Sequence, residues 1–269
     1  MTPILQKRAA FLALHTPGAP FIIPNPWDIG SARILAGLGF KALATTSSGF
    51  ACTLGRHDYE ITGDEAFSHA ADLAGSVGVP VSADLENGFG DDPDMVAETI
   101  RLAVKTELCG GSIEDTTGML NNPIYDLDLS VRRIEAAVEA TADGFVLTAR
   151  ADGLLHGVTD LSNIIERLQA FEAAGADVLY APGLPDLDAV HKVCSAVSKP
   201  VNVLIYGALT QHTTNDFAQA GAARLSVGGR FAFNAYATLA GTASMLKDGK
   251  FGLLSENAAH INAVQKFLK

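Results

Sequence analysis

The chain has 269 residues, 48% hydrophobic and 18% charged, which is enough apolar material for one large core. Its formal net charge of −11 excludes nucleic acid or an anionic membrane as the partner, because the overall field repels both, while leaving room for a small anionic carboxylate held by local cations or a metal. The three cysteines, Cys52, Cys109 and Cys194, lie far apart without metal-ligand spacing and read as a reduced, cytoplasmic protein.

In chain order, Ile4, Leu5, Ala9, Phe11 and Leu12 outline a short amphipathic helix rather than a signal peptide. No run approaches the roughly 20 apolar residues of a membrane span. Strand-like runs then alternate with helical ones. Phe21–Asn25 precedes a helix over Ser31–Leu38, Ala42–Ser47 precedes Asp64–Ala74, and Val79–Glu86 precedes Pro93–Thr106. Gly111–Asp115 leads to Leu129–Ala140, Phe145–Arg150 to Leu161–Ala173, Asp177–Ala181 to Leu187–Val197, and Pro200–Ile205 to Thr214–Ala220. Arg224–Val227 is the eighth strand. Phrases such as Ala174-Gly175-Ala176-Asp177 mark helix-to-strand joints. This is the pattern of an α/β protein, a (β/α)8 TIM barrel in a single domain over 1–269, with an open doubly wound sheet as the alternative. Further helices over Phe231–Leu246 and Ser255–Phe267, within about 231–269, pack either on their own barrel or on a neighbouring subunit.

Charge is sparse within the strands and concentrated at their ends. The run Val81-Ser82-Ala83-Asp84-Leu85-Glu86-Asn87-Gly88 ends in carboxylates and breaks at glycine, and Gly111-Ser112-Ile113-Glu114-Asp115 repeats the theme. In a barrel, such ends converge on one mouth. Crowded acids raise one another's pKa values unless a cation joins them, and oxygen donors without His or Cys favour Mg²⁺, with Mn²⁺ next. Arg150 in Thr148-Ala149-Arg150-Ala151-Asp152 is either a clamp for an anionic substrate or an intra-barrel ion pair to Glu114 or Asp84. Thr45-Thr46-Ser47-Ser48-Gly49 is either a small anion nest or a plain polar turn.

Asn25-Pro26-Trp27-Asp28-Ile29-Gly30-Ser31-Ala32-Arg33, Thr46-Ser47-Ser48-Gly49, Leu54-Gly55-Arg56-His57-Asp58, Ala83-Asp84-Leu85-Glu86-Asn87-Gly88, Ser112-Ile113-Glu114-Asp115 and Ala149-Arg150-Ala151-Asp152 follow one another in that order. Together they resemble the isocitrate lyase/phosphoenolpyruvate mutase superfamily over about residues 20 to 230. The resemblance implies a (β/α)8 barrel, a homo-oligomer (tetramer or dimer) that exchanges its last helices between subunits, and Mg²⁺-assisted cleavage or formation of C–C or P–C bonds in 2-oxo and 2-hydroxy acids. It implies Asp84 as the direct metal ligand, with Glu86, one methylene longer than the family's aspartate, and Asp58 and Glu114 holding the metal's waters. It also makes Arg150 the substrate clamp, acting with Glu114 in catalysis. Thr46, Ser47 and Ser48 would grip the substrate carboxylate, and Asn202 matches a late-strand asparagine of the lyases.

After Asp115 the lyases carry a Lys-Lys-Cys-Gly-His loop; here Thr116-Thr117-Gly118-Met119-Leu120-Asn121-Asn122-Pro123-Ile124-Tyr125-Asp126 has no cysteine, lysine or histidine. Asn122 matches an asparagine that contacts the transferred group in the mutase. The loop suits either a gate that closes on substrate or an ordinary Asn-Pro turn. Trp27 either roofs the pocket as a substrate-binding residue or simply packs. His57 reads as a neighbour of the mouth, His156 as a residue after the fifth strand, and His15, His69, His191, His212 and His260 as surface or helix residues. The leading expectation is a Mg²⁺-dependent lyase of a small 2-oxo or 2-hydroxy carboxylic acid, acting by decarboxylation or retro-aldol cleavage. The alternatives are phosphonopyruvate mutase or hydrolase chemistry and a non-catalytic barrel that binds a keto acid.

Overall fold

The computed structural model of the protein describes residues 2–254, 261–262 and 264–268. The chain opens with α1 (Pro3–Ala13), β1 (Phe21–Ile23), α2 (Ile29–Gly37), β2 (Leu43–Ala44), α3 (Ser47–Thr53), α4 (Gly63–Ser76), β3 (Val81–Asp84) and α5 (Pro93–Val104). It continues through β4 (Gly110–Glu114), α6 (Leu127–Ala140), β5 (Val146–Arg150), α7 (Leu161–Ala173), β6 (Val178–Tyr180) and α8 (Leu187–Ala196). It ends with β7 (Val201–Leu204), α9 (Thr214–Gln219), β8 (Arg224–Ser226) and α10 (Arg230–Lys247), with short 3₁₀ turns between and beyond them.

All eight strands are parallel, in the order β1-β8-β7-β6-β5-β4-β3-β2. The β1–β2 seam is drawn together by the Ala44 N–H donating to the Pro24 carbonyl at 3.2 Å. Asn25 staples the same seam: its Nδ2 donates to the Thr45 carbonyl at 3.0 Å, and its Oδ1 accepts the N–H groups of Val227 and Gly228. The result is a nearly closed (β/α)8 barrel, which overturns the open-sheet alternative.

Strand alternation sorts the side chains. On β5, Leu147 and Ala149 face the helices, whereas Thr148 and Arg150 point into the barrel. The floor is closed by Phe11 of α1, packed with Ile23, Ala42, Cys109, Val146 and Val178. Cys109 is thus buried at the end remote from the mouth. Above this floor the interior is polar, built from Ser82, Ser112, Thr148, Asn202 and Arg224 rather than the branched apolar layers usual in such barrels.

Helices begin just after strand ends, so their caps crowd the mouth face. Asp28, Asp92, Asp126, Asp160 and Asp186 each accept a backbone N–H in the first turn of a helix. Much of the chain's acidity is therefore structural, and Asp28 belongs to a cap rather than to the site. The second strand is shorter than its pattern predicts, because Thr46 turns out of it to cap α3, its Oγ1 accepting the Gly49 N–H. At the helix-to-strand joints, Gly175 and Gly221 hold φ of 103° and 91°, a conformation that disfavours side chains.

Helix α10 buries only Ala232 within this chain and leaves Phe233 and Leu239 exposed. Most of the expected Ser255–Phe267 helix lies outside the described residues. Its last turn seats the Phe267 ring close against Gly37 of α2, where even a Cβ would clash. Among the described residues, no helix is long and apolar enough to cross a membrane.

Candidate active site

A cavity of about 290 Å³ opens at the C-terminal ends of the strands. Arg150, at the end of β5, is its electrostatic centre. Its Nη2 lies 2.7 Å from Asp152 Oδ2 and 2.9 Å from Glu114 Oε2, and its Nη1 3.3 Å from Asp84 Oδ1. Nε adds a bond to Asp152 Oδ1 at 3.1 Å. Burial opposes the guanidinium charge, but Asp152, Glu114 and Asp84 outweigh it and hold Arg150 well above its ordinary pKa. Both sequence readings of Arg150 therefore meet in one residue: it lines the cavity, and it is saturated by carboxylates.

Glu114 is buried, and desolvation raises its pKa, with Arg150 offsetting part of the effect. Its other oxygen accepts a hydrogen bond from the Tyr59 hydroxyl. Desolvation, reinforced by the Glu114 charge, pushes that phenol up, so Tyr59 stays protonated. Asp84 Oδ2 accepts the Ser47 N–H at 3.0 Å, and Asp58 Oδ1 accepts the Ser47 hydroxyl at 2.9 Å. Thr46, Ser47 and Ser48 all line the cavity, but part of the expected nest is already spent: the Ser47 N–H serves Asp84 and the Gly49 N–H serves Thr46.

Asn202 lies deep in the same cavity, its Nδ2 donating to Ser226 Oγ at 2.9 Å and its Oδ1 accepting from Arg224 Nε at 2.9 Å. His156 stands on the rim, with Nε2 3.4 Å from Thr116 Oγ1. His57 is exposed and does not line the cavity, although Asp58 beside it does.

Three predicted site residues, Trp27, Asn122 and Glu86, lie elsewhere. Trp27 is half-buried outside the cavity, its carbonyl accepting from His69 Nε2 and its Cβ beside Gly49. Asn122 is exposed on a small hairpin where Thr116 pairs with Ile124, and its carbonyl accepts from Thr117 Oγ1. Tyr125 is an anchor rather than a gate: Arg133 stacks on its ring and its hydroxyl bonds Asp91. Glu86 departs from strand alternation because its φ of 47° swings it into an adjoining hollow with Thr62, Thr117 and Gly118. There it is buried, and Oε1 has no hydrogen-bond partner among the described residues.

Among the described residues no three acids form a ready-made metal cage, since Arg150 occupies the point they would share. The donor set nonetheless fits Mg²⁺. It is all oxygen, and Mg²⁺ retains several waters and needs only one or two direct carboxylates. Asp84 and Asp58 line the cavity, whereas the Glu86 oxygen left without a partner among the described residues lies in the adjoining hollow, a buried polar atom in want of a proton.

Burial, then the Asp84 and Asp58 charges, push Glu86 up from 4.5 to about 8. Between those values the folded state holds one more proton than the unfolded chain, so stability falls as pH rises through the window. In the presence of chelator, the melting temperature is expected to fall from pH 5 to pH 8, and Glu86→Gln to flatten that slope. An unchanged slope in the variant would show that the carboxyl ionises normally.

Tyr59 and Arg224 also line the cavity, although neither was expected there. Tyr59 follows Asp58 in a loop, and only its left-handed φ of 64° aims it inward. Arg224 left a readable mark, a lone charge inside the strand run Ala222-Ala223-Arg224-Leu225-Ser226. His15, read as a surface or helix residue, is buried against Arg224.

Comparison with known proteins adds to this geometry. The family model described as phosphoenolpyruvate phosphomutase matches residues 11–247. A crystal structure from Burkholderia cenocepacia J2315, described as a lyase or mutase, is 47% identical and superposes with a TM-score of 0.93, covering 99% of this chain and 96% of its own. The 2-methylisocitrate lyase of Escherichia coli K12 is 30% identical over 230 residues, which are 78% of this chain and 77% of that protein. Oxaloacetate acetylhydrolase, solved with its product oxalate, is 27% identical with a TM-score of 0.81, over 91% of this chain and 88% of its own.

Proposed function

The chain belongs to the phosphoenolpyruvate phosphomutase family, within the isocitrate lyase/phosphoenolpyruvate mutase superfamily of enzymes, and from that premise we propose that it is a Mg²⁺-dependent lyase breaking a C–C bond in a small 2-oxo or 2-hydroxy carboxylic acid. The observation that carries the reading is the convergence of Asp58, Asp84, Glu114 and Arg150 on one barrel-mouth cavity. The relatives named above as a methylisocitrate lyase and an oxaloacetate acetylhydrolase support C–C rather than P–C chemistry.

Asp84 would hold the metal directly, with Asp58 and Glu114 holding its waters. Mg²⁺, when bound, supplies Lewis-acid stabilisation of the negative charge that develops on the substrate oxygen. Arg150 contributes a fixed positive charge pinned by Asp152 and Glu114, so no reorganisation accompanies the reaction. Tyr59, held protonated, orients Glu114. The carbon freed by cleavage needs a proton, and without a loop cysteine the cavity wall offers Tyr59, Tyr180 and His156 as side chains placed to deliver it. A homo-oligomer that covers the exposed Phe233 and Leu239 of α10 completes the reading.

A panel of 2-oxo and 2-hydroxy acids, including oxaloacetate, 2-methylisocitrate and phosphonopyruvate, incubated with Mg²⁺ and followed by NMR, tests it. The expected result is Mg²⁺-dependent C–C cleavage of at least one acid and no turnover of phosphonopyruvate, since the Thr116–Asp126 loop offers no cation to a phosphoryl group. Conversion of phosphonopyruvate alone would reverse the assignment. Tight binding without any turnover would mark a keto-acid-binding barrel instead.

A further inference from the structure

Two guanidiniums line the cavity, and they differ in what neutralises them. Arg150 touches three carboxylates. Arg224, only 5% exposed, touches none: it takes part in no ion pair among the described residues. Each of its nitrogens meets a neutral partner instead. Nε donates to Asn202 Oδ1 at 2.9 Å, Nη2 to Thr148 Oγ1 at 3.1 Å, and Nη1 to His15 Nε2 at 3.2 Å. His15 can only accept there, because its Nδ1 donates to the Phe11 carbonyl, and burial together with the Arg224 charge keeps the ring neutral, with a pKa of about 3.

A buried cation without a counter-charge is costly, and a barrel interior ordinarily holds branched apolar side chains at this depth. Here Asn, Thr and His orient the guanidinium without satisfying its charge. A guanidinium has five N–H donors, so two remain after these three bonds. Arg224 also sits across the barrel from the acids. The strand order places β7 and β8 opposite β3 and β4, so the Arg224 and Asn202 wall faces Asp84 and Glu114 across the cavity.

We propose that Arg224, flanked by Asn202 and Ser226, is the counter-charge for a second acidic group of the substrate, so that the enzyme takes a dicarboxylate. The 2-oxo or 2-hydroxy acid head lies toward Asp84, and the distal carboxylate lies against the Arg224 wall. This assignment rests on the proposed function and adds a substrate class to it. Among the described residues no lysine and no further arginine lines the cavity, which leaves a third carboxylate without a guanidinium or ammonium partner there.

A matched pair of acids tests the inference: malate and 2-hydroxybutanoate share a four-carbon 2-hydroxy acid frame and differ by the distal carboxylate, and where NMR shows malate to be cleaved its KM stands in for the dissociation constant. Their dissociation constants are measured by calorimetry with Mg²⁺ at fixed ionic strength, for the wild type, Arg224→Met and Arg224→Lys, with folding checked by circular dichroism. The wild type is expected to prefer malate by about tenfold or more, the scale of a charge-assisted bond to a desolvated carboxylate. Arg224→Met is expected to abolish that preference while leaving 2-hydroxybutanoate within about twofold. Arg224→Lys retains part of it. A merely structural arginine would alter melting without altering the preference between the acids. If Arg224→Met fails to fold, the wild-type pair and Arg224→Lys still decide. Equal wild-type affinities, or a preference that survives in Arg224→Met, overturn the proposal and leave the lyase reading standing. Binding of neither acid by the wild type overturns that reading and the proposal together.

Discussion

Arg150→Met is expected to remove about 3–5 kcal/mol of folding stability, the scale of breaking a buried charge network from one side. The variant strands Glu114 and Asp152, whose side chains are 2% and 1% exposed, and removes the partner of Asp84. Their repulsion then falls on carboxyls that can respond only by taking up protons. Destabilisation should therefore be larger at pH 8 than at pH 5, and added Mg²⁺ should recover part of it. Arg150→Lys keeps the charge but not the fork that reaches three carboxylates at once, so it should lie between methionine and wild type. Urea denaturation at the two pH values measures all of this. A methionine variant as stable as wild type at pH 8 would mean that the network contributes nothing net.

Asp84→Asn should leave the fold intact and reduce turnover by about 10²–10³ or more. The amide keeps an oxygen to accept the Ser47 N–H, now bonded to Asp84 Oδ2 at 3.0 Å, so the β3 end and the start of α3 stay joined. What it lacks is the charge that would hold Mg²⁺. The decisive measurement is the rise in melting temperature on adding Mg²⁺, since a ligand that binds only the native state stabilises it in proportion to its saturation. That rise should vanish in Asp84→Asn and persist in Glu86→Gln, because Glu86 faces the adjoining hollow rather than the cavity. A Mg²⁺ response that survives in Asp84→Asn would place the metal elsewhere.

The readable part of the site is the part that alternation controls. Asp84, Glu114 and Arg150 each end a strand whose apolar residues announce its length, and parallel strands in a barrel bring their ends together. Asn202 was legible for the same reason. Glu86 lies only two residues beyond Asp84 and should share its direction, yet one left-handed residue cancels the alternation. Asn122 and Trp27 carried motif matches but no periodicity, and a loop residue's direction depends on the bonds of its whole segment. In the Thr116–Asp126 loop those bonds make a hairpin that keeps Asn122 outside the cavity.

By itself the sequence determined the barrel, the order of its elements, and the acid-and-arginine chemistry of its mouth, because a two-residue strand period and capped helices are local properties of the chain. Only the tertiary structure decided how those charges are spent. It saturates Arg150 with three acids, turns Glu86 away, closes the β1–β2 seam through Asn25, and buries Arg224 among neutral groups. Each of these outcomes depends on residues far apart in sequence meeting at a set distance. Coulomb interactions and desolvation follow that distance and not the order of the chain.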